Sequence, residues 1–395
     1  MRQIDLQRTS VARAKTVRYI NRQIVLNYVR ERGPISRAEI AHETELQRST
    51  VSQIANELKG AGLIEEVSGE SSGGRPPILL SLRTEDAVAI GVDLGTARTI
   101  VATSDLAGRM LEHAEFVTEP DAVKTVRKIC EITAGLVRQH RGTVEGIGIT
   151  LPGLVDQEAG KMYIPYFKWR DLNIADEVTA ATWLPVTIDN DANAAALAEL
   201  WFGRPEIRGV RDFVMVLVEE GVGTGVVFDG QVYRGKGAAA GEFGHMTIGT
   251  GAPVACASGS RECWEAFSSE RAALARYAKL ARNGGSGDVD CAQLVDRALR
   301  GEGTARAALK ETGRYLGIGI ANLIQGLAPE VVIVGGPIVR AWELLAPDIR
   351  KAVDANICQG LPSTRVIAST LGEQPTLMGA VSLVLTSKFA SASII

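Results

Sequence analysis

Gly91-Val92-Asp93-Leu94-Gly95-Thr96-Ala97 and Glu219-Glu220-Gly221-Val222-Gly223-Thr224-Gly225 are the stretches that set the fold class. Each follows an apolar run of strand type, Ala87–Asp93 in the first case and Phe213–Val218 in the second. A strand running into a glycine turn gathers backbone N–H groups where a phosphate can sit. Strands are also expected over Thr99–Ser104 and Arg109–Val117 after the first turn. Gly225–Phe228 and the Asp229-Gly230 hairpin follow the second. The order strand, glycine turn, strand, hairpin thus occurs twice and predicts a duplicated α/β domain. The second turn, however, opens with two carboxylates, which repel a polyphosphate.

Working outward, a long helix is expected over 122–139 and a strand over 146–150 that ends in Pro152-Gly153. Another strand runs through Thr187 to Ile188. Helices over 305–325 and 341–354 bracket a strand at Val331–Val334, which ends in a third glycine turn, Gly335-Gly336.

The first 83 residues follow different rules. Residues 1–15 read as a flexible basic arm. From Thr16 to Arg32 apolar residues recur at helical spacing until Gly33-Pro34 stops them. Ser36 caps a second helix, with Glu39 placed to complete a capping box. A third helix runs from Arg48 to Lys59. Strands at Leu63–Val67 and Ile78–Leu82 then flank a Gly/Ser/Pro-rich loop. Three helices and a β-hairpin make a winged helix-turn-helix over 16–83. On the outer face of its third helix lie Arg48, Ser49, Thr50, Ser52, Gln53 and Asn56, groups able to reach base edges or phosphates of duplex DNA. The other reading of such a face is a solvated helix surface. In the wing, Gly74-Arg75-Pro76 matches the core of arms that place an extended Arg75 in the minor groove. A plain Gly/Pro loop has the same composition.

Charge follows the same division. Residues 1–83 carry 13 Lys and Arg against 9 Asp and Glu, whereas the rest carries 30 against 37. The basic segment is the candidate for a polyanion. Apolar content of 46% and charged content of 23% fit a globular protein. No membrane span and no signal peptide are expected, so the protein is expected in the cytoplasm. Five scattered cysteines fit reduced thiols.

The richest polar cluster is Asp189-Asn190-Asp191-Ala192-Asn193, set between the strand ending at Ile188 and a helix expected over 194–202. Such groups either cap the helix or bind hydroxyls, and a carboxylate there can serve as a base. Gly241-Glu242-Phe243-Gly244-His245 and Cys263-Trp264-Glu265 add two further polar sets.

On these motifs, from Val88 to about Leu385, the chain resembles the ROK family of sugar kinases and sugar-responsive repressors. The winged helix marks the repressor branch. The resemblance implies an actin-like, ribonuclease H-like α/β domain of two lobes over 86–390, divided at about 188/189, with a sugar in the cleft. It implies sugar contacts from Gly153, Asn190, Asp191, Glu242, His245 and Glu265, with Asp191 at the kinase base position. It also implies a homodimer or homotetramer.

Three departures from the family pattern follow. The first phosphate turn has Thr96 and Ala97 where the kinases have Gly and Thr. The second has Glu219-Glu220 in place of Gly-Thr. The family's zinc set of one His and three Cys matches at His245, Cys256 and Cys263, but Ser258 replaces the middle cysteine. Zinc on three ligands plus water, and no metal at all, both stay open. The expectation is therefore a regulator of transcription that binds an operator and a sugar effector, with no ATP and no catalysis. Repressor is favoured over activator. The alternative is an ATP-dependent sugar kinase carrying a DNA-binding head.

Overall fold

The computed structural model describes residues 14–70, 76–83, 87–156, 161–170, 172–207, 209–281 and 289–389. The head comprises α1 (Ala14–Arg32), β1 (Ile35–Ser36), α2 (Arg37–Thr44), α3 (Arg48–Gly60), β2 (Ile64–Ser68) and β3 (Ile78–Leu82). The capping box at Ser36 forms in both directions: the Glu39 N–H donates to Ser36 Oγ and the Ser36 N–H to the Glu39 carboxylate. The head has one strand more than expected, since β1 adds to the hairpin in the order β1-β3-β2. Two residues are too few for a period to show. Helix α1 also starts two residues inside the segment read as an arm; residues 1–13 lie outside the described residues.

The first half of the body contains β4 (Ala87–Leu94), β5 (Arg98–Asp105), β6 (Met110–Val117), α4 (Ala122–Gln139) and β7 (Thr143–Leu151). A small sheet of β8 (Leu154–Asp156), β9 (Lys161–Ile164) and β10 (Trp169–Arg170) follows, then α5 (Ile174–Thr182) and β11 (Val186–Asn190). The second half holds α6 (Asp191–Phe202), β12 (Phe213–Val218), β13 (Val222–Phe228), β14 (Gln231–Val232), α7 (Trp264–Ser268), α8 (Glu270–Leu280) and α9 (Cys291–Leu299). It closes with α10 (Gly303–Leu327), β15 (Val331–Gly335), α11 (Trp342–Asn356), β16 (Arg365–Ala368) and α12 (Pro375–Phe389).

Each half builds a five-stranded sheet, β11-β7-β4-β5-β6 and β14-β13-β12-β15-β16. Numbered within its own sheet, each reads 3-2-1-4-5 from one edge, with two antiparallel pairings and two parallel ones. The duplication expected from the glycine turns is therefore present at the level of topology.

Three boundaries differ from the sequence reading. Helix α6 begins at Asp191, with no loop between it and β11, because the Asn190 side chain caps it by accepting from Ala192 N and Asn193 N. Strand β13 begins at Val222, so Gly223 and Gly225 are paired with Leu217 and Met215 and are not part of a turn. The division into lobes at 188/189 also fails at the C-terminus. Helix α12 packs back on β4 and β7 of the first sheet. A Cβ at Gly148 of β7 would stand 1.8 Å from the Ala380 carbonyl oxygen, so only glycine admits this approach. An apolar helix must be buried, and β4 and β7 offer the covering surface.

Helix α6 lies between the halves, against β13 on one side and α12 on the other. Both contacts are at backbone distance: a Cβ on Gly225 would lie 2.3 Å from the Ala192 oxygen, and one on Gly379 2.5 Å from the Ala194 carbonyl carbon. The head core of Val25, Leu26, Val29, Ile54 and Leu58 is continuous with Ala89, Leu106, Val381 and Leu385 of the body. No described helix is long and apolar enough to cross a membrane.

Candidate functional site

The end of β11 and the start of α6 place two functional side chains in succession. Asn190, while capping α6 with its oxygen, donates from Nδ2 to the Gly153 carbonyl, 3.0 Å away. Gly153, Asn190 and Asp191 are thus brought together across 37 residues of sequence. Asp191 accepts from Ala192 N at 2.7 Å. Burial pushes its pKa up to about 7 against the bond from Ala192, and the charges of Asp93 and Glu242 add to the rise. A carboxyl poised near neutrality can accept a proton or hydrogen-bond a hydroxyl.

Sequence reasoning assigned no role to Asp93, although it stands in the first quoted stretch. Its two oxygens accept from Thr150 Oγ1 at 3.0 Å and Thr376 Oγ1 at 2.6 Å. Burial again raises its pKa, against these two bonds. Asp189, 1% exposed, pairs with Arg234, whose Nε and Nη2 lie 3.0 and 2.5 Å from its Oδ2. This pair ties β11 to the loop that leads into Glu242. Nothing in the sequence signals it, because the partners are 45 positions apart and Arg234 sits in no motif.

Glu242 and His245 face each other with Oε2 and Nε2 3.7 Å apart. Burial raises the Glu242 pKa, His245 lowers it, and Glu265 raises it again. Glu265, 7% exposed, already accepts from Ala257 N at 2.9 Å, Val222 N at 3.4 Å and Arg271 at 3.3 Å. It braces β13 and the 245–263 loop from below and keeps few lone pairs for a ligand.

The β12–β13 turn, which lies against Glu265, is three residues long, and several of its backbone groups are engaged. Glu219 N donates to Gly221 O, Glu270 N to Glu219 O, and Arg271 Nε to Glu220 O. The Glu219 carboxyl is raised well above its usual range by burial and by the charges of Asp93, Asp191, Glu270 and Glu220. Glu270 is pushed up to about 7, again chiefly by burial. In the β4–β5 turn, Gly95 N donates to Arg98 O, and Thr118 donates to the carbonyls of both Ala97 and Gly95. In both turns the first N–H is taken up within the turn, by Arg98 O and Gly221 O, and the second turn is lined by carboxyls.

His245, Cys256 and Cys263 offer ligand atoms that all lie within 4.8 Å of one another. The two Sγ atoms are 3.3 Å apart, and Ser258 Oγ is 2.9 Å from Cys256 Sγ. Tetrahedral zinc with Zn–S near 2.3 Å sets sulfurs roughly 3.8 Å apart, so the donor set fits a zinc ion with small adjustment. The Ser258 hydroxyl stands beside that set as a weaker donor. Burial raises the Cys256 pKa, but bonds from Ser258 and Cys263 bring it down to about 7.

In the head, Arg48, Ser49, Gln53 and Asn56 are exposed on α3, while Thr50 and Ser52 are half-buried. Val51, Ile54, Ala55 and Leu58 fill the inner face. Arg37, which sequence reasoning missed, donates to Asn56 Oδ1 at 2.9 Å and to Glu66 at 2.8 Å. It adds a cation to the reading face. Arg75 lies outside the described residues.

Comparison with known proteins follows this geometry. Residues 89–387 match the ROK family, and residues 24–74 match the MarR family. The xylose repressor of Caldicellulosiruptor bescii is 31% identical over 94% of this chain and 96% of its own length. The DNA-binding transcriptional dual regulator NagC of Escherichia coli is 26% identical over 93% of each. Among solved structures, a ROK family transcriptional regulator described as a homologue of E. coli MLC superposes with a TM-score of 0.80 at 28% identity. That match covers 95% of this chain and 97% of the other. A ROK family glucokinase from Streptomyces griseus, solved with glucose and AMPPNP, gives 0.68 at 31% identity, covering 75% and 98%. The kinase matches the body, and the regulator matches head and body together.

Proposed function

The chain belongs to the ROK family, and from that premise we propose that it is a sugar-responsive transcriptional repressor. Its winged-helix head holds an operator and leaves it when a neutral sugar fills the pocket at Asn190 and Asp191. One observation supports the reading: Asn190 and Asp191 are held beside Gly153, while the β12–β13 turn carries the buried carboxyl of Glu219 next to Glu220, in a chain that also has a winged-helix head. A phosphosugar directed toward those carboxyls is disfavoured for the same reason. The protein acts as a homodimer, so that two reading helices meet a pseudo-palindromic operator. Zinc would be held by His245, Cys256 and Cys263, and would tie the 245–263 loop to the pocket wall as a structural ion.

The test combines two measurements. A panel of neutral sugars, D-xylose and N-acetyl-D-glucosamine among them, is screened by thermal shift, since a ligand of the folded state raises the melting temperature. Binding to duplex from the promoter of its own gene is then compared with random duplex, with and without the stabilising sugar. Equal affinity for both duplexes at moderate salt would defeat the proposal.

The second reading, a sugar kinase carrying a DNA-binding head, is favoured by Asp191, whose pKa of about 7 suits a general base. We propose that this carboxyl serves hydroxyl recognition alone, and that the protein does not phosphorylate its sugar. Sugar-dependent ATP consumption above that of Asp191→Asn would establish the kinase reading instead.

A further inference from the structure

Helix α6 has one end in the pocket and the other beneath the DNA head. Asn190 and Asp191 form its N-terminus. Its last two residues, Trp201 and Phe202, pack against the apolar cluster shared by the head and the body. Twelve residues at about 1.5 Å each span roughly 18 Å. The backbone-distance contacts at Gly225 and Gly379 hold the middle of this rod against β13 and α12.

At the far end the rod is gripped by the head. The Arg30 guanidinium of α1 lies 4.1 Å above the Trp201 ring, and its Nη1 donates to the Trp201 carbonyl at 3.3 Å. Asn27 Oδ1 at 3.3 Å and Glu31 at 2.6 Å hold the same guanidinium from within α1. Trp201 in turn donates from Nε1 to Thr386 Oγ1 of α12 at 2.9 Å. The Arg30 side chain is 12% exposed, and a cation over a ring gains most when water is excluded. Next to this contact the packing opens. A cavity of about 1020 Å³ separates head from body, bounded by Arg30, Glu65, Leu106, Arg109, Trp201 and Phe202. The head therefore has a gripped side and an open side.

Resting on the reading of this chain as a sugar-responsive regulator, we infer that α6 transmits the pocket's state to the DNA head through the Arg30–Trp201 contact. A sugar that engages Asn190 and Asp191 shifts the N-terminus of a helix held along its middle. Trp201 and Phe202 move with it, and Arg30 turns α1 and the reading helix toward the open cavity. Arg30 and Trp201 are positioning residues, since neither touches the sugar or the operator. The sugar then changes operator affinity by the ratio of its own affinities for the two head positions.

The experiment uses the full chain, duplex from the promoter of its own gene, and D-xylose as the sugar. Arg30→Gln, Trp201→Ala and Trp201→Phe are compared with the parent protein for melting temperature, D-xylose affinity, and operator affinity with and without D-xylose. In the parent, D-xylose weakens operator binding by about 5- to 150-fold, the usual range of coupling. In Arg30→Gln and Trp201→Ala that factor falls to within about twofold of one, while D-xylose affinity stays within about twofold of the parent. Trp201→Phe, which keeps a ring under the guanidinium, retains most of it. A merely structural role would lower the melting temperature and leave the factor alone. The full factor in Arg30→Gln would overturn the inference. Should D-xylose not shift the parent's melting temperature, the functional reading fails for that sugar. The inference is then decided with the sugar of the panel that does shift it, N-acetyl-D-glucosamine first: loss of that sugar's effect on operator affinity in Arg30→Gln supports it, and the full effect overturns it.

Discussion

The two sheets of the body share one strand order, yet the first strand of each delivers a different chemistry to the cleft. In the first half, β4 ends in Asp93, whose oxygens are satisfied by two threonine hydroxyls. In the second, β12 runs into Glu219, whose carboxyl is forced up by burial and crowded by four other carboxyls. A strand order can thus be inherited whole while the turn that gave it a use is rewritten, because turn residues project into the cleft and bear little on the sheet's own hydrogen bonds.

The largest effect that tests this contrast is expected at Asp191. Asp191→Ala removes a hydroxyl partner on the assembled side and should weaken sugar binding roughly 10- to 100-fold, as expected for a bond to a charged group. Ligand-free operator binding should persist. Glu219→Ala, on the other side, should leave the sugar response within about twofold. Equal losses from both substitutions, measured by titration, would erase the contrast.

Next in size is nucleotide affinity. Glu219→Gly and Glu220→Thr together, with Thr96→Gly and Ala97→Thr opposite, restore the kinase-like turns. The substitutions replace two buried carboxyls, which give a phosphate no favourable partner, with residues that leave backbone N–H groups and a hydroxyl to face it, so ATP should bind at least about tenfold tighter than to the parent. No gain would mean that the turn carboxyls are not what excludes ATP.

A third expectation concerns pH. Asp191 titrates near 3.8 when unperturbed and at about 7 in the folded chain. Between these values the folded protein holds a proton that the unfolded chain has released. Stability is therefore lost as pH rises from about 4 and levels off above about 7. Asp191→Asn has no such loss. Its melting temperature should gain on the parent's between about pH 5 and pH 8, by about 2–3 kcal/mol of stability. A constant difference would place the titration elsewhere. The smallest effect is expected at the metal. Ser258→Cys should raise zinc content in chelator-washed protein toward one per chain, read by elemental analysis. Stoichiometric zinc in the parent would show that three protein ligands suffice.

What was legible in the sequence follows from period and punctuation. The capping box at Ser36 and the strands at Phe213–Val218 and Ile78–Leu82 were readable because local residues alone determine them. The start of α6 was not, since Asn190 and Asp191 are as polar as a loop and only the cap geometry shows that Asp191 is helical. Gly223 and Gly225 looked like turn residues, whereas they are small so that α6 can approach β13. The return of α12 to the first sheet, and the pairing of Asp189 with Arg234, join segments far apart in the chain, and no local pattern encodes such a meeting. Of the candidate site, the motifs name Gly153, Asn190, Asp191, Glu242 and His245, and the structure sets Asn190 against Gly153 and Glu242 against His245. The bracing by Thr150, Thr376 and Arg271 could not be read in advance.

The alanine-rich middle of α6 has a consequence for how relatives of this protein can diverge. Ala192, Ala194, Ala195, Ala196 and Ala198 are all buried, with glycine backbones of β13 and α12 pressed against the same stretch. At Ala192, Ala194 and Ala196 a larger side chain would crowd these glycine segments, so these positions admit little change. Along this helix, variation is left to its two ends, Asn190 beside the Gly153 carbonyl and Trp201 beneath Arg30 of the head, and each end can vary without the other.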